Sequence, residues 1–60
     1  MMGNSFIDQI CQYRIALIPQ YEGGWQADMY GEHEYVIHAA TGLNPQEAVD
    51  KVIELYKAGE

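Results

Sequence analysis

The stretch GLNPQE, residues 42–47, is the strongest local structural signal in the chain. Asn44 is a residue type preferred at helix N-caps, and Pro45 stands at the first helical position, where its missing N–H removes no hydrogen bond. Glu47 follows three residues after the cap, so its carboxylate can reach back toward the backbone. These residues predict that a helix begins at Pro45.

Downstream of this start, apolar residues recur at helical spacing. They are Ala48, Val49, Val52, Ile53 and Tyr56, with Leu55 at the edge of the stripe. Gly59 is a typical residue for ending a helix, and Lys57 complements the negative end of the helix dipole. A helix with one apolar stripe must pack that stripe against another layer.

Upstream, the apolar period changes to two, which is typical of strands. We predict three strands at residues 13–18, 25–30 and 34–39, joined by turns at Gly23-Gly24 and at residues 30–33. One face of this sheet should meet the helix. We assign to that face Tyr13, Ile15, Leu17, Trp25, Ala27, Met29, Tyr35, Ile37 and Ala39. The opposite face is half apolar, which is common in open antiparallel sheets and also typical of partner-binding surfaces.

Residues 5–12 carry a helical stripe, and Ser5 followed by Asp8 resembles a capping box. Cys11 falls on the apolar side of this segment and is predicted to be a small buried hydrophobe. The fold class is therefore α+β: a three-stranded antiparallel meander with a C-terminal helix on one face and a short N-terminal helix. The order is α-β-β-β-α, within one domain spanning residues 1–60.

The composition limits the classes of function that this chain can have. The chain has 60 residues, nine Asp or Glu against three Lys or Arg, and a formal net charge of -6. Direct nucleic-acid binding is disfavoured because that affinity comes largely from Lys and Arg, whereas a basic protein partner is favoured. A single cysteine, no signal peptide and no apolar segment of spanning length predict a cytoplasmic protein without membrane contact. So short a chain is also expected to form a homo-oligomer to gain burial.

The region 13–56 resembles the HicB-like domain, the antitoxin-type partner of mRNA-cleaving toxins. The matching features are a Tyr-led strand at 13–18, Pro19, the EGGW stretch at 22–25, two further strands, a turn with Gly42, and a polar cap before Glu47-Ala48. The resemblance implies toxin neutralisation by protein binding. The family's Pro-Asp-x-Pro-Gly-Cys stretch is replaced here by residues 29–34, and its C-terminal DNA-binding segment has no counterpart, so operator binding is not carried over.

Possible metal ligands cluster at Asp28, Glu32, His33, Glu34 and His38. Without a Cys pair or a helical His-x-x-x-His, a solvated polar face explains them better, and we expect neither metal nor cofactor. A catalytic acid–base pair needs a cleft that a chain of this length seldom forms alone, so we expect no enzyme activity.

The favoured function is a small acidic protein-binding module that neutralises a basic partner, such as an RNA-cleaving toxin, by occlusion. The expected partner-binding residues are exposed aromatics and carboxylates: Tyr21, Glu22, Asp28, Tyr30, Glu32 and Glu34. Two alternatives stay open. One is a phage-type acidic inhibitor of a nucleic-acid-handling or defence protein, and the other is an oligomeric ligand-binding protein or enzyme with a site between subunits.

Overall fold

Five elements follow one another in this computed structural model, which describes residues 5–59. They are α1 (Phe6–Tyr13), β1 (Ile15–Pro19), β2 (Trp25–Tyr30), β3 (Val36–Gly42) and α2 (Pro45–Ala58). The strands form one antiparallel sheet in the order β1-β2-β3. The α-β-β-β-α order confirms the predicted fold class. Among the described residues, neither helix has the length and apolar character needed to span a bilayer.

Helix α2 begins where the sequence predicts. The side chain of Asn44 accepts a hydrogen bond from the Glu47 N–H at 2.8 Å, and Pro45 opens the first turn. The predicted stripe is buried at Ala48, Val49, Val52 and Ile53. These residues form the core together with Ile15, Ala27 and Met29 from the sheet.

Helix α1 is capped by the predicted box, because the Asp8 N–H donates to Ser5 Oγ and the Ser5 N–H donates to the Asp8 carboxylate. It extends to Tyr13, so this residue closes a helix instead of opening a strand. Arg14 caps that end in the left-handed conformation, with φ 57°.

Only one narrow side of α1 meets the core. Its contacts come from Phe6, Ile10 and Tyr13, which are three or four residues apart and therefore share a face. Cys11 lies one position beyond Ile10, about 100° around the helix. The prediction that Cys11 is buried is wrong, because its thiol is exposed.

The predicted core face is correct for β1 and β2. Ile15 pairs with Met29 and Leu17 pairs with Ala27, so all four side chains lie on the same side of the sheet. Ala27 and Met29 are almost completely buried. The core-facing assignment of these two strands is therefore confirmed.

The assignment for β3 is wrong by one residue. Met29 pairs with His38 while Tyr30 pairs with Val36, which leaves Ile37 as the extra residue of a β-bulge. His38, Ala40 and Gly42 consequently join the core side in place of the predicted Tyr35, Ile37 and Ala39. Tyr35 precedes the strand and is 60% exposed.

Close packing of α2 explains why small residues of β3 face the core. A Cβ placed on Gly42 would lie 2.6 Å from the Ala48 amide nitrogen and 2.9 Å from Glu47 Cβ. The first turn of α2 therefore rests directly on the backbone of β3. His38 packs its ring edge-on to Tyr56 farther along, with 6.2 Å between the ring centroids.

The other side of the sheet, which we call the open face, is covered by neither helix. Its residues are Ala16, Ile18, Gln26, Asp28, Tyr30, Val36, Ala39 and Thr41. Strand β3 also forms one edge of the sheet, and its seven residues VIHAATG include no proline and no carboxylate, lysine or arginine.

Candidate functional site

The six predicted partner-binding residues do not form one surface. Tyr21 and Glu22 lie in the loop between β1 and β2, beside the junction of β3 and α2; we call this the loop end. Glu32 and Glu34 lie in the turn between β2 and β3, beside Arg14; we call this the turn end. The six residues of β2 separate the two ends by about 17 Å. The structure therefore divides the predicted site into two regions.

Asp28, predicted to be an available charge, is buried. Only 8% of the residue is exposed, because it lies on the central strand between Ala16 and Ala39. Its Oδ1 accepts a hydrogen bond of 2.7 Å from Gln26 Nε2. Asp28 is therefore not part of the accessible surface of the site. Tyr30, beside it on the open face, is partly buried.

At the loop end, Tyr21 is fully exposed and Glu22 is exposed next to it. An open groove of about 580 Å³ runs from this loop past Trp25 to Leu43. Leu43 is 84% exposed, which is unusual for a residue so close to a buried helix turn. The groove thus brings three large apolar or aromatic side chains together at one end of the molecule.

A hydrogen-bonded carboxylate lines the same groove. Glu47 Oε1 accepts a hydrogen bond of 2.7 Å from the Leu43 N–H, and Lys51 Nζ lies 3.6 Å from Glu47 Oε2. The backbone hydrogen bond and then the nearby ammonium lower the pKa of Glu47 below its ordinary value of 4.5. Glu47 is therefore a structural acceptor that holds the entry into α2.

At the turn end, one arginine organises the backbone. Arg14 Nη2 lies 2.7 Å from Glu34 Oε2, and Arg14 Nη1 donates to the Gly31 carbonyl at 3.2 Å. Glu34 adopts the left-handed conformation with φ 68°. Glu34 is exposed, as predicted, but its charge is partly compensated, whereas Glu32 forms no ion pair within residues 5–59.

A second open depression, of about 450 Å³, lies at the turn end between the last turns of the helices and the β2–β3 turn. Four of the five tyrosines contribute to its lining, namely Tyr13, Tyr30, Tyr35 and Tyr56, together with His33 and Ile37. We call it the tyrosine cleft. Its rings pack in pairs: Tyr13 and Tyr56 meet edge to face at 5.9 Å, and His33 stacks on Tyr35 at 6.1 Å.

Sequence reasoning missed the tyrosine cleft because it placed Tyr13, Tyr35 and Tyr56 in the core. No single segment of the sequence signals the cleft, because it depends on where these residues fall in the folded elements. Tyr13 ends α1, Tyr35 follows the β2–β3 turn and Tyr56 lies in the last turns of α2. Antiparallel topology brings all three of these positions to one end of the sheet.

The suspected ligand cluster does not converge. His38 faces the core side beside Tyr56, whereas Asp28 lies on the open face. Within the described residues, no group of three or more His, Cys, Asp or Glu side chains is arranged to hold a metal ion.

The chain was compared with family models, curated proteins and solved structures, and none of them matched. The HicB-like resemblance accordingly remains an expectation based on the order of motifs in residues 13–56.

Proposed function

We propose that this chain is a small acidic protein-binding module of the HicB-like antitoxin type, without enzyme activity of its own. It would neutralise a basic partner, such as an RNA-cleaving toxin, by occluding it. One observation carries the proposal: an exposed tyrosine adjoins an exposed carboxylate at each end of the sheet. Tyr21 adjoins Glu22 at the loop end, and Tyr35 follows Glu34 at the turn end. Tyrosine is enriched among residues that dominate binding energy, and carboxylates steer a basic partner.

The charge distribution supports the same proposal. The net charge is -6, and two of the three cations are already engaged, Arg14 with Glu34 and Lys51 with Glu47. The surface therefore offers a phosphate backbone little positive charge with which to displace counterions. A basic protein surface is the more suitable partner.

The test begins with an affinity pull-down from the native host, with the recovered partner identified by mass spectrometry. Its association rate is then measured with the double variant Glu22→Gln, Glu32→Gln. The matched control is Asp50→Asn with Glu54→Gln, which removes the same charge from the exposed side of α2. Glu34 is left unchanged because its loss would also release Arg14.

We expect the first variant to associate more slowly than the control at about 50 mM salt, with the difference vanishing near 500 mM. A basic partner whose RNA cleavage stops on binding would identify the antitoxin role. Equal rates for both variants at every salt concentration would contradict electrostatic presentation.

We further propose that the open face or the β3 edge joins a second copy of the chain. Ile18 and Val36 are exposed on the open face, and the only carboxylate there, among the described residues, is the buried Asp28. Two copies can meet at this face without opposing exposed charges, despite the net charge of each. Light scattering should report a dimer or larger species that Val36→Lys dissociates. A folded species of about 7 kDa at high micromolar concentration would contradict this assembly.

We place the module in the cytoplasm. The support is Cys11, a free and exposed thiol, which a reducing compartment preserves. Alkylation of intact cells followed by mass spectrometry should find Cys11 reduced. Recovery of the chain as a Cys11-linked disulfide would instead indicate an oxidising compartment.

A further inference from the structure

The rim of the tyrosine cleft presents aromatic surface to solvent. Tyr35 is 60% exposed while stacked on His33, with an interplanar angle of 16°. Tyr13 and Tyr56 form the inner wall at an interplanar angle of 68°, so one ring directs its edge at the face of the other. Aromatic faces carry partial negative charge and attract cations placed over them.

The charges around the tyrosine cleft favour a cation as well. Glu32 lines it, and Glu34 stands two residues farther along the same turn. Helix α1 ends at Tyr13, in the wall of the cleft, and Tyr56 belongs to the last turns of α2. The C-terminal end of α1, whose last turn has no basic residue, carries partial negative charge that adds to that of the carboxylates, whereas Lys57 offsets this charge at the end of α2.

One cation is already held at this rim. Arg14 binds the Glu34 carboxylate and the Gly31 carbonyl through two different guanidinium nitrogens. The second carboxylate, Glu32, has no such partner within residues 5–59. The turn end can therefore accept one further positive charge.

We propose that the tyrosine cleft receives a cationic side chain, arginine before lysine, from the basic partner. A guanidinium group is planar and stacks on aromatic rings while its N–H groups donate to carboxylates, whereas an ammonium group is compact and strongly hydrated. Tyr35 and His33 supply the stacking surface, and Glu32 supplies the acceptor. This inference rests on the proposed function and assigns it a site.

The test is an NMR titration at pH 7.5 with an acetylated, amidated Gly-Arg-Gly peptide. The control peptide replaces arginine by citrulline, which has the same shape without the charge. We expect saturable shifts of the Tyr13, Tyr35 and Tyr56 ring signals, at affinities in the millimolar range, with at least about twofold weaker binding of citrulline. The Tyr21 ring at the loop end provides an internal reference that should not shift.

Variants of Tyr35 then test the stacking surface, while the citrulline peptide tests the charge. Tyr35→Leu should weaken arginine binding about two- to fivefold, while Tyr35→Phe keeps the ring and should retain it. Tyr35 is exposed, so neither change disturbs the core, and Tyr21→Leu is the matched control at the loop end. Equal binding of the two peptides, or full binding by Tyr35→Leu, would overturn the proposal. Shifts of the same rings with adenosine but not with the arginine peptide would also overturn it, in favour of a planar aromatic ligand.

Failure of this inference differs from failure of the proposed function. In one case, Tyr35→Leu binds the recovered partner normally while Glu22→Gln with Glu32→Gln slows association. The proposed function is then supported, and the partner does not bind in the tyrosine cleft. In the other case, the arginine peptide binds in the tyrosine cleft but the glutamate changes do not slow association of the recovered partner. The tyrosine cleft is then a cation site, and the proposal that carboxylates steer a basic partner is wrong.

Discussion

The two ends of the sheet are built by different means. At the loop end the backbones themselves touch, because Gly42 lies under the first turn of α2 and a Cβ on Gly24 would come 2.9 Å from the Gly42 carbonyl oxygen. At the turn end, side chains hold the structure through paired rings and the link between Arg14 and Glu34.

This difference separates positions that control folding from positions that are free to change. Backbone contact at Gly24 and Gly42 leaves no room for a larger residue, so substitutions at these two glycines act on folding. Exposed side chains at the turn end can change while the core stays intact, which suits a surface that selects a partner.

The largest effect should come from Gly42→Ala. The added methyl group would overlap the backbone of α2, and overpacking of this kind costs about 1–3 kcal/mol. The matched change at the turn end is Gly31→Ala, whose methyl group would come 2.8 Å from Cγ2 of Ile37, a side chain that is 42% exposed and can move toward solvent. Urea denaturation should show a much lower midpoint for Gly42→Ala than for Gly31→Ala. Equal decreases in the urea midpoint would contradict the proposed difference between the two ends.

A smaller effect is expected from Asn44→Ala. This change removes the acceptor of the Glu47 N–H and should cost about 1 kcal/mol. In a domain with roughly 3–5 kcal/mol of total stability, the urea midpoint falls visibly. Asn44→Ser keeps a capping oxygen and should recover most of the loss. An unchanged midpoint for Asn44→Ala would mean that the cap contributes nothing to α2.

The smallest effect concerns pH. Because the pKa of Glu47 is lowered in the folded chain, its stabilising contribution is present above the ordinary value of 4.5 and is lost as the pH falls through the lower folded value. Glu47→Gln should therefore reduce the difference in urea midpoint between pH 7 and pH 3. If the variant and the parent lose stability equally over this range, the hydrogen bond from Leu43 does not favour the ionised form.

Much of the fold followed from local signals. Asn44 and Pro45 locate α2, Ser5 and Asp8 locate α1, and alternation locates the strands, because each signal acts within a few residues. The face of β3 could not be predicted in this way. A bulge at Ile37 reverses the alternation and brings Gly42 to the core side, where α2 packs closely against it in a tertiary contact.

The candidate site was harder to predict for the same reason. Exposure of Tyr21, Glu22 and Glu32 follows from their places in loops. The burial of Asp28 depends on its neighbours across two strand pairs, and the tyrosine cleft depends on where two helices end. Such properties arise from assembly of the elements and are not visible in any single segment.

The uncharged edge of β3 makes the net charge of -6 relevant to aggregation. An uncharged, proline-free edge strand can template the addition of strands from other molecules, which is the first step toward fibrils. Mutual repulsion between acidic bodies opposes further strand addition at any β3 edge that a second copy does not already cover. We therefore expect that a medium acidic enough to protonate the carboxylates, or salt high enough to screen them, favours precipitation through β3.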